Sequence, residues 1–350
     1  MTPEVSVLMA VYNGRPHLAA ALASLAAQTL GEWELIAVDD GSTDGSREEL
    51  LAWAAREPRI TVLDNETNRG LPASLNRALP RARGRFVARL DADDVALPRR
   101  LARQAAFLAA HPATVILGGW VAYVDEAGRP LGLTHAQPAG DAAIRAKLLL
   151  NNAFHHSTVM LRRKTLTTQG LAYDPAFRYA QDYDLWSRLL AHGQGANLPE
   201  VLVQFRRHGG QVSTAHAAAS LELADQVAWR NVTAAGLDRE FNQEEVRWAR
   251  RAGLVLPGQT ARERRLQYFA LAKILAALGR RFAGPDPDWE GVRRAYWQGL
   301  RHALRHWPRD AATARVLAGV VRHDPAASLA EAWAFLTRRR STPSPEEDPA

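Results

Sequence analysis

Three carboxylates stand within four residues at Asp91-Ala92-Asp93-Asp94, directly after the mostly apolar run Phe86-Val87-Ala88-Arg89-Leu90. Carboxylates this close repel one another unless a cation or a proton holds them, so the chemistry they suit is binding a divalent metal through oxygen. Acids also end a second apolar run, at Asp39-Asp40, and recur downstream in Gln181-Asp182-Tyr183-Asp184-Leu185-Trp186. The chain has no cysteine. Thiolate-held metals and disulfides are therefore excluded, and any metal must sit on Asp, Glu, His or backbone oxygen.

The elements that must position these groups alternate. Val5–Val11 is a continuous apolar run with β-branched residues, the mark of a strand buried on both faces, and it ends at Tyr12-Asn13-Gly14. Pro16 suits a first helical turn, Leu18, Leu22 and Leu25 form one stripe, and Gly31 closes the helix. A second strand spans Glu34–Asp40. Ser46 with Glu49 has the capping-box spacing for a helix through Leu50, Leu51 and Ala54. Arg59–Leu63 reads as a strand, Pro72–Leu79 as a helix and Gly84–Leu90 as a fourth strand. This alternation predicts an α/β fold with an open, mainly parallel sheet flanked by helices, whose ligands bind beyond the carboxyl ends of the strands. Asn13, Asp39, Asp40, Asn68, Asp91 and Asp93 converge on that geometry.

Further on, Pro98–Ala110 reads as a helix, Val115–Val124 as a strand, 139–150 as a helix and Asn151–His156 as a loop. Ser157–Leu161 returns as a strand, Asp182 opens a helix, and Leu198–Phe205 feeds Arg206-Arg207-His208-Gly209-Gly210. Beyond this the chain changes to Ala/Arg/Leu segments of helical period, such as Leu221–Arg230, Glu244–Ala252, Ala261–Leu278 and Trp289–His306. The expected organisation is a catalytic domain over 1–215, a helical extension over 216–340 and a disordered tail over 341–350.

Composition bounds the function. With 47% hydrophobic and 23% charged residues the chain is ordinary globular material. Its net charge of +7 is carried almost wholly by arginine, since Lys147, Lys164 and Lys273 are the only lysines. That charge suits phosphate-bearing ligands or an anionic membrane face, and it is equally a compositional habit of Ala/Arg-rich chains. No zinc-knuckle spacing, RNP-like aromatic motif or long basic run supports nucleic-acid binding. Met1-Thr2-Pro3-Glu4 lacks a signal-peptide pattern and no apolar stretch reaches about 18 residues. A cytoplasmic protein without a membrane span is expected. Segments such as Arg262–Arg281 mix arginine with Leu, Phe and Tyr, which fits a helix packed on its own domain or peripheral membrane contact.

Four blocks in order resemble the family 2 glycosyltransferases, inverting enzymes with the GT-A fold: Val5–Asn13, Val38–Asp44, Asn68-Arg69-Gly70 and Leu90–Asp94. The similarity covers residues 4 to 215. It implies transfer of a sugar from a nucleoside-diphosphate sugar to an acceptor hydroxyl on a carbohydrate, a lipid-linked sugar or a protein, in surface polysaccharide or glycoconjugate synthesis. Family habit favours uridine over thymidine or guanosine. By resemblance, Asp40 binds the base, with Ala10 and Tyr12 alongside, Asn68 nearby and Asp39 in support. Asp91 lies near ribose or sugar, and Asp93 ligates Mg2+ or Mn2+. Asp182 takes the place of the general base, with Gln181 where a Glu often stands. An N-cap is the bland alternative for Asp182, and Asp184 is the fallback base. Phe205–Ser213 resembles a loop that closes over the donor, its His208 reaching the metal and Arg206 or Arg207 the diphosphate. His155 and His156 resemble a position near donor or acceptor sugar.

Two rivals remain. A sugar-1-phosphate nucleotidyltransferase would carry a glycine-rich, basic loop after the first strand, where Tyr12-Asn13-Gly14-Arg15-Pro16 offers one glycine. A non-catalytic scaffold acting through the helical extension would need neither Asp93 nor Asp182.

Overall fold

A computed structural model describes residues 2–211 and 216–252, together with Thr260, Glu263, Leu266, Gln267, Ala270, Leu271, Lys273, Ile274 and Ala277. The expected helix Trp289–His306, the tail 341–350 and much of Ala261–Leu278 lie outside the described residues.

In chain order the elements are β1 (Val5–Val11), α1 (Arg15–Ala26), β2 (Trp33–Asp39), α2 (Ser46–Ala54), β3 (Ile60–Asp64), α3 (Leu71–Ala78), β4 (Phe86–Arg89), β5 (Val95–Ala96) and α4 (Arg100–Ala110). They continue with β6 (Thr114–Val124), β7 (Pro130–His135), α5 (Asp141–Leu148), β8 (Met160–Arg162), α6 (Arg163–Thr168), α7 (Gln181–Leu189), β9 (Gln194–Arg206), α8 (Ala217–Ala234) and α9 (Gln243–Arg251). One sheet runs β3-β2-β1-β4-β8-β6-β9-β5, with β7 paired to β6. Its first four strands are parallel, as the βαβ alternation requires. Beyond β4 the sheet is mixed: β8 runs antiparallel to both β4 and β6, and β9 parallel to β6.

The apolar runs are apolar because both faces are covered. Val5, Val7, Leu8, Met9 and Val11 are all at most 1% exposed, and every residue of β2 is buried. On one face, Val5, Val7, Met9 and Val11 of β1 and Trp33, Leu35 and Ala37 of β2 pack with Leu18, Leu22 and Leu25 of α1 and with Leu101, Ala105 and Leu108 of α4 in one core. The register aligns Val11 with Asp39 and Leu8 with Arg89. The loops after β1, β2 and β4 therefore leave the same edge of the sheet.

Those loops are tied together by hydrogen bonds. Asn13 sits at φ 51°, a left-handed conformation that Asn tolerates. Its N–H donates to Ser42 Oγ at 3.0 Å, and its Oδ1 accepts from the Thr43 N–H at 2.9 Å. This tie replaces the expected capping box. Ser46 Oγ donates to Asp44 Oδ1 at 2.6 Å and accepts from the Gly14 N–H at 2.9 Å, and α2 starts after Gly45 with no side-chain cap. Helix α1 ends at Ala26 rather than at Gly31.

The compact unit that carries the sheet extends through Gly236 among the described residues and so includes α8. Within it, Asn231 Nδ2 donates to Leu148 O at 2.6 Å and Ser220 Oγ to Tyr179 O at 3.0 Å. The unit that begins at Leu237 contains α9, opened by a complete capping box between Asn242 and Glu245. No helix among the described residues is long and apolar enough to cross a membrane.

Candidate active site

The three acids after β4 have three environments. Asp91 accepts from Ser157 Oγ at 2.7 Å and is ion-paired with Arg89. Burial raises its carboxyl, but the Arg89 charge and the hydrogen bonds outweigh that and hold it below the usual range. Asp93 is partly open, with Oδ2 2.9 Å from His208 Nε2. Asp94 is 1% exposed. Its Oδ1 accepts the Arg206 N–H at 3.0 Å and its Oδ2 has no partner. Burial, then the Asp93 and Asp91 charges, push it well above the usual carboxylate range.

Asp93 and His208 offer one oxygen and one nitrogen to the same space. Among the described residues no cluster of three His, Cys, Asp or Glu could hold a metal by itself. The pair nevertheless suits Mg2+ or Mn2+ in the nucleotide manner, in which one or two protein ligands are completed by phosphate oxygens and water.

Asp182 lies inside the first turn of α7, whose cap is Ala180, so it is no N-cap. Its Oδ2 accepts from Asn152 Nδ2 at 2.7 Å and its Oδ1 from the Tyr183 N–H at 2.8 Å. Burial pushes this carboxyl up to about 6 against those hydrogen bonds, and the Asp91 charge adds to the rise. The influence of Asp91 places the two carboxylates in one local field. Asp184, the fallback base, is corrected by the structure. It is fully buried, paired with Arg188 at 2.6 Å and Arg230 at 2.6 Å, and has no open edge for a substrate proton.

At the other end of the edge, Asp40 is 3% exposed. Its Oδ1 accepts from Asn65 Nδ2 at 2.7 Å and the Arg69 N–H at 2.9 Å, and its Oδ2 from the Gly70 N–H at 2.9 Å. Asp40 thus fixes the loop that carries Asn68, which is exposed. Asp39 is buried, accepts the Ser42 N–H at 3.2 Å and keeps Oδ1 unpartnered. Ala10 is half-buried, and Tyr12 is 53% exposed beside this loop pair.

Arg206 departs from the expected lid. It is 6% exposed, and its guanidinium donates to the carbonyls of Asp93 at 3.0 Å and Glu126 at 2.9 Å, so it braces the Asp93 loop from below. Arg207 is exposed, its guanidinium 5.3 Å from the centre of the Tyr123 ring.

Several contributing residues were missed from sequence. Arg89 is 0% exposed. It donates to Leu8 O at 2.8 Å, Leu90 O at 2.7 Å and His156 Nε2 at 3.1 Å. The His156 Nε2 also meets the Tyr173 hydroxyl at 2.9 Å, and burial lowers this histidine to about 3, so it is a neutral acceptor. Arg100 is likewise fully buried, donates to Arg89 O at 2.6 Å and is lowered to about 9 by burial and then by Arg89. A charged residue inside an apolar strand was the available signal for Arg89. His17 packs its ring 4.8 Å from that of His208, a proximity that local pattern does not register.

Residues 6–169 match the model of "Glycosyl transferase family 2". The chain is 38% identical over 208 residues to a putative glycosyltransferase, EpsE, of Bacillus subtilis, covering 58% of this chain and 73% of that one. It is 33% identical over 212 residues to the amylovoran biosynthesis glycosyltransferase AmsE of Erwinia amylovora, covering 59% and 78%. Among solved structures, S. aureus TarS in complex with UDP-GlcNAc aligns with a TM-score of 0.57 at 19% identity over 85% of this chain and 92% of that one. The mannosyltransferase PcManGT from Pyrobaculum calidifontis, in complex with GDP-Man and Mn2+, aligns with a TM-score of 0.53 at 20% identity over 92% and 87%. At these identities the structural likeness speaks for the fold, which is the expected GT-A type.

Proposed function

The chain belongs to glycosyltransferase family 2, and on that premise we propose that it moves a sugar from a nucleoside-diphosphate sugar, a UDP-sugar first among them, to an acceptor hydroxyl with inversion. The observation that carries this reading is Asp182: a carboxylate oriented through both oxygens, lifted to about 6 and lying in the field of Asp91 at the strand ends. A base poised near the working pH accepts a proton in the transition state most effectively.

In this reading Asp182 takes the acceptor proton while the acceptor oxygen attacks the anomeric carbon opposite the leaving diphosphate. Asn152 and the Tyr183 N–H keep the carboxylate from rotating. Asp91, held by Arg89 and Ser157, faces donor ribose or sugar. Asp40 Oδ2, with Gly70 as its donor among the described residues, keeps a lone pair for the ring N–H of the base. Ala10, Tyr12, Asp39 and Asn68 line the same end. Asp93 and His208 would hold a divalent cation, Mg2+ or Mn2+, which would supply positive charge to the leaving diphosphate. Arg206 holds the Asp93 loop in place, and Arg207 is left as the exposed arginine to meet the diphosphate.

The role of AmsE in amylovoran biosynthesis supports a part in surface polysaccharide synthesis. The solved neighbours with UDP-GlcNAc and with GDP-Man and Mn2+ support a metal-assisted nucleotide-sugar donor. A cytoplasmic site of action, with peripheral membrane contact through the C-terminal helices, completes the proposal, and the net charge of +7 supports it. The test is a screen of nucleotide sugars for slow hydrolysis without acceptor. One donor should be cleaved, and EDTA should stop the cleavage. A folded protein that binds and cleaves none of them would refute the reading, and cleavage indifferent to EDTA would remove the metal from it.

A further inference from the structure

At the amino ends of β1 and β4, the opposite end of the sheet from the candidate active site, cations gather with few acids. Arg81, Arg83 and Arg85 alternate with the buried Ala82, Gly84 and Phe86, so all three are exposed as the chain enters β4. Gly84 lets this segment lie against β1, since a Cβ there would stand 2.6 Å from the Ser6 nitrogen and 2.9 Å from its Oγ. The antiparallel pairing of β8 sets Arg162 opposite Phe86, and the Arg163 N–H donates to Arg85 O at 3.2 Å. Arg163 and Lys164 are thereby delivered beside Arg83 and Arg85. These four cations line a cavity of about 490 Å3 in which Glu4 is the one acid and Thr2 and Thr167 add hydroxyls.

The cations are fixed on one side and unused on the other. Arg83 donates through Nε and Nη2 to the buried Glu34 at 2.8 and 2.6 Å, which leaves Nη1. Arg163 donates through Nε to Gly84 O and leaves both terminal nitrogens. Arg85 holds its guanidinium 5.0 Å from the centre of the Phe86 ring, and Glu4 stands 3.7 Å from it, outside hydrogen-bond reach. Lys164 is exposed, and among the described residues no acid pairs with it. Other exposed arginines meet close acids, as Arg47 does Asp64 at 2.9 Å and Arg129 does Asp125 at 2.8 Å. Crowding registers in Arg162, whose guanidinium is lowered by burial and then by the Arg85 charge.

Guanidinium forks match the oxygens of a phosphate, and an ammonium adds a point charge. Glu4 in the lining and Glu34 behind Arg83 leave the four cations with an excess of two positive charges. A phosphate monoester or a diphosphate answers that excess with a single group, whereas a simple carboxylate does not. We propose that this cavity is a second anion site, which takes a phosphate-bearing group of two or more negative charges and lies apart from Asp39, Asp40, Asp91 and Asp93 at the carboxyl strand ends. A free anion and a phospholipid headgroup offer the same chemistry, and the test separates them. No part of this rests on the glycosyl-transfer reading.

Because Lys147, Lys164 and Lys273 are the only lysines, reductive 13C-dimethylation, which preserves their charge, gives Lys164 its own NMR signal in the full chain, assigned by its loss in Lys164→Arg. Titration with inorganic pyrophosphate, free of divalent metal and nucleotide, should move that signal saturably, and sodium chloride of equal ionic strength should not. Arg85→Gln changes a side chain that is 53% exposed, and it should raise the half-saturating concentration by about ten-fold. A Lys164 signal that pyrophosphate moves no further than the salt control overturns the proposal, as does a curve that Arg85→Gln leaves unchanged in the folded protein. Sedimentation with phosphatidylcholine vesicles, with and without phosphatidic acid, then separates the sources. Pelleting that requires phosphatidic acid, and that Arg85→Gln and pyrophosphate each abolish, assigns the group to a phospholipid headgroup. Protein that stays in solution, or that pellets equally well as Arg85→Gln, assigns it to a free anion. Neither sugar donor nor turnover enters these measurements, so this titration and the donor screen fail independently.

Discussion

Replacing Asp182 with Asn should remove catalysis and stabilise the fold in the same step. Burial moves this carboxyl from 3.8 to about 6, equivalent to about 3 kcal/mol against its ionised form. A folded-state value above the unfolded one means that the folded protein binds more protons between those two pH values, so stability falls as pH rises through them. The penalty is absent below about pH 4 and complete above about pH 6. An amide carries no charge to desolvate, but it has one acceptor oxygen, whereas the carboxylate uses Oδ1 for the Tyr183 N–H and Oδ2 for Asn152. Leaving one of those donors unanswered gives back about 1–2 kcal/mol. The expected net change is a gain of about 1–2 kcal/mol at pH 7.5 that turns into a loss of about 1 kcal/mol near pH 4, read from urea unfolding at both pH values. The same variant should lose about 10²–10⁴ in kcat, and wild-type kcat/KM should decline on the acid side of about pH 6. Activity within about three-fold of wild type, or a stability change that does not differ between the two pH values, would refute the reasoning.

Asp93→Ala and His208→Ala should each weaken calorimetric Mn2+ binding in the presence of a nucleoside diphosphate by about ten-fold or more; unchanged affinity in either would remove that residue from the metal site. Asp184→Asn should lower stability by about 2–3 kcal/mol, because a buried carboxylate that answers two partly exposed arginines is lost. The folded fraction should keep its kcat, and a loss as deep as that of Asp182→Asn would reinstate Asp184 as the base. Asp40→Asn should destabilise by about 2 kcal/mol by unfastening Asn65, Arg69 and Gly70. It should also weaken binding of uridine nucleotides; thermal melts with and without UDP measure both effects, and an unchanged melt would mean that the loop is held elsewhere.

The parallel half of the sheet was legible because a strand buried on both faces must be apolar throughout, and β1 and β2 are. The rest was less so. β7 reads Pro-Leu-Gly-Leu-Thr-His and is exposed along its whole length, so no core pressure shapes its pattern. β5 has two residues and exists only through its pairing with β9. The Ser46/Glu49 spacing promised a cap, but Asp44 and Gly14 bind the Ser46 hydroxyl first. Arg206 looked like a lid arginine, and the carbonyls that bury it come from Asp93 and Glu126, far away in the chain.

What the chain determined by itself is the alternation of strands and helices and the recurrence of acids at strand ends. Both rest on local periodicity and on the rule that a run buried on two faces stays apolar. What only the tertiary structure decided is which acid does what. Asp182 and Asp184 are two residues apart with the same side chain. Asn152 orients one and leaves its carboxyl raised and within the field of Asp91, whereas Arg188 and Arg230 enclose the other. The difference lies in desolvation and in charges brought from other elements, and those exist only once the chain has folded.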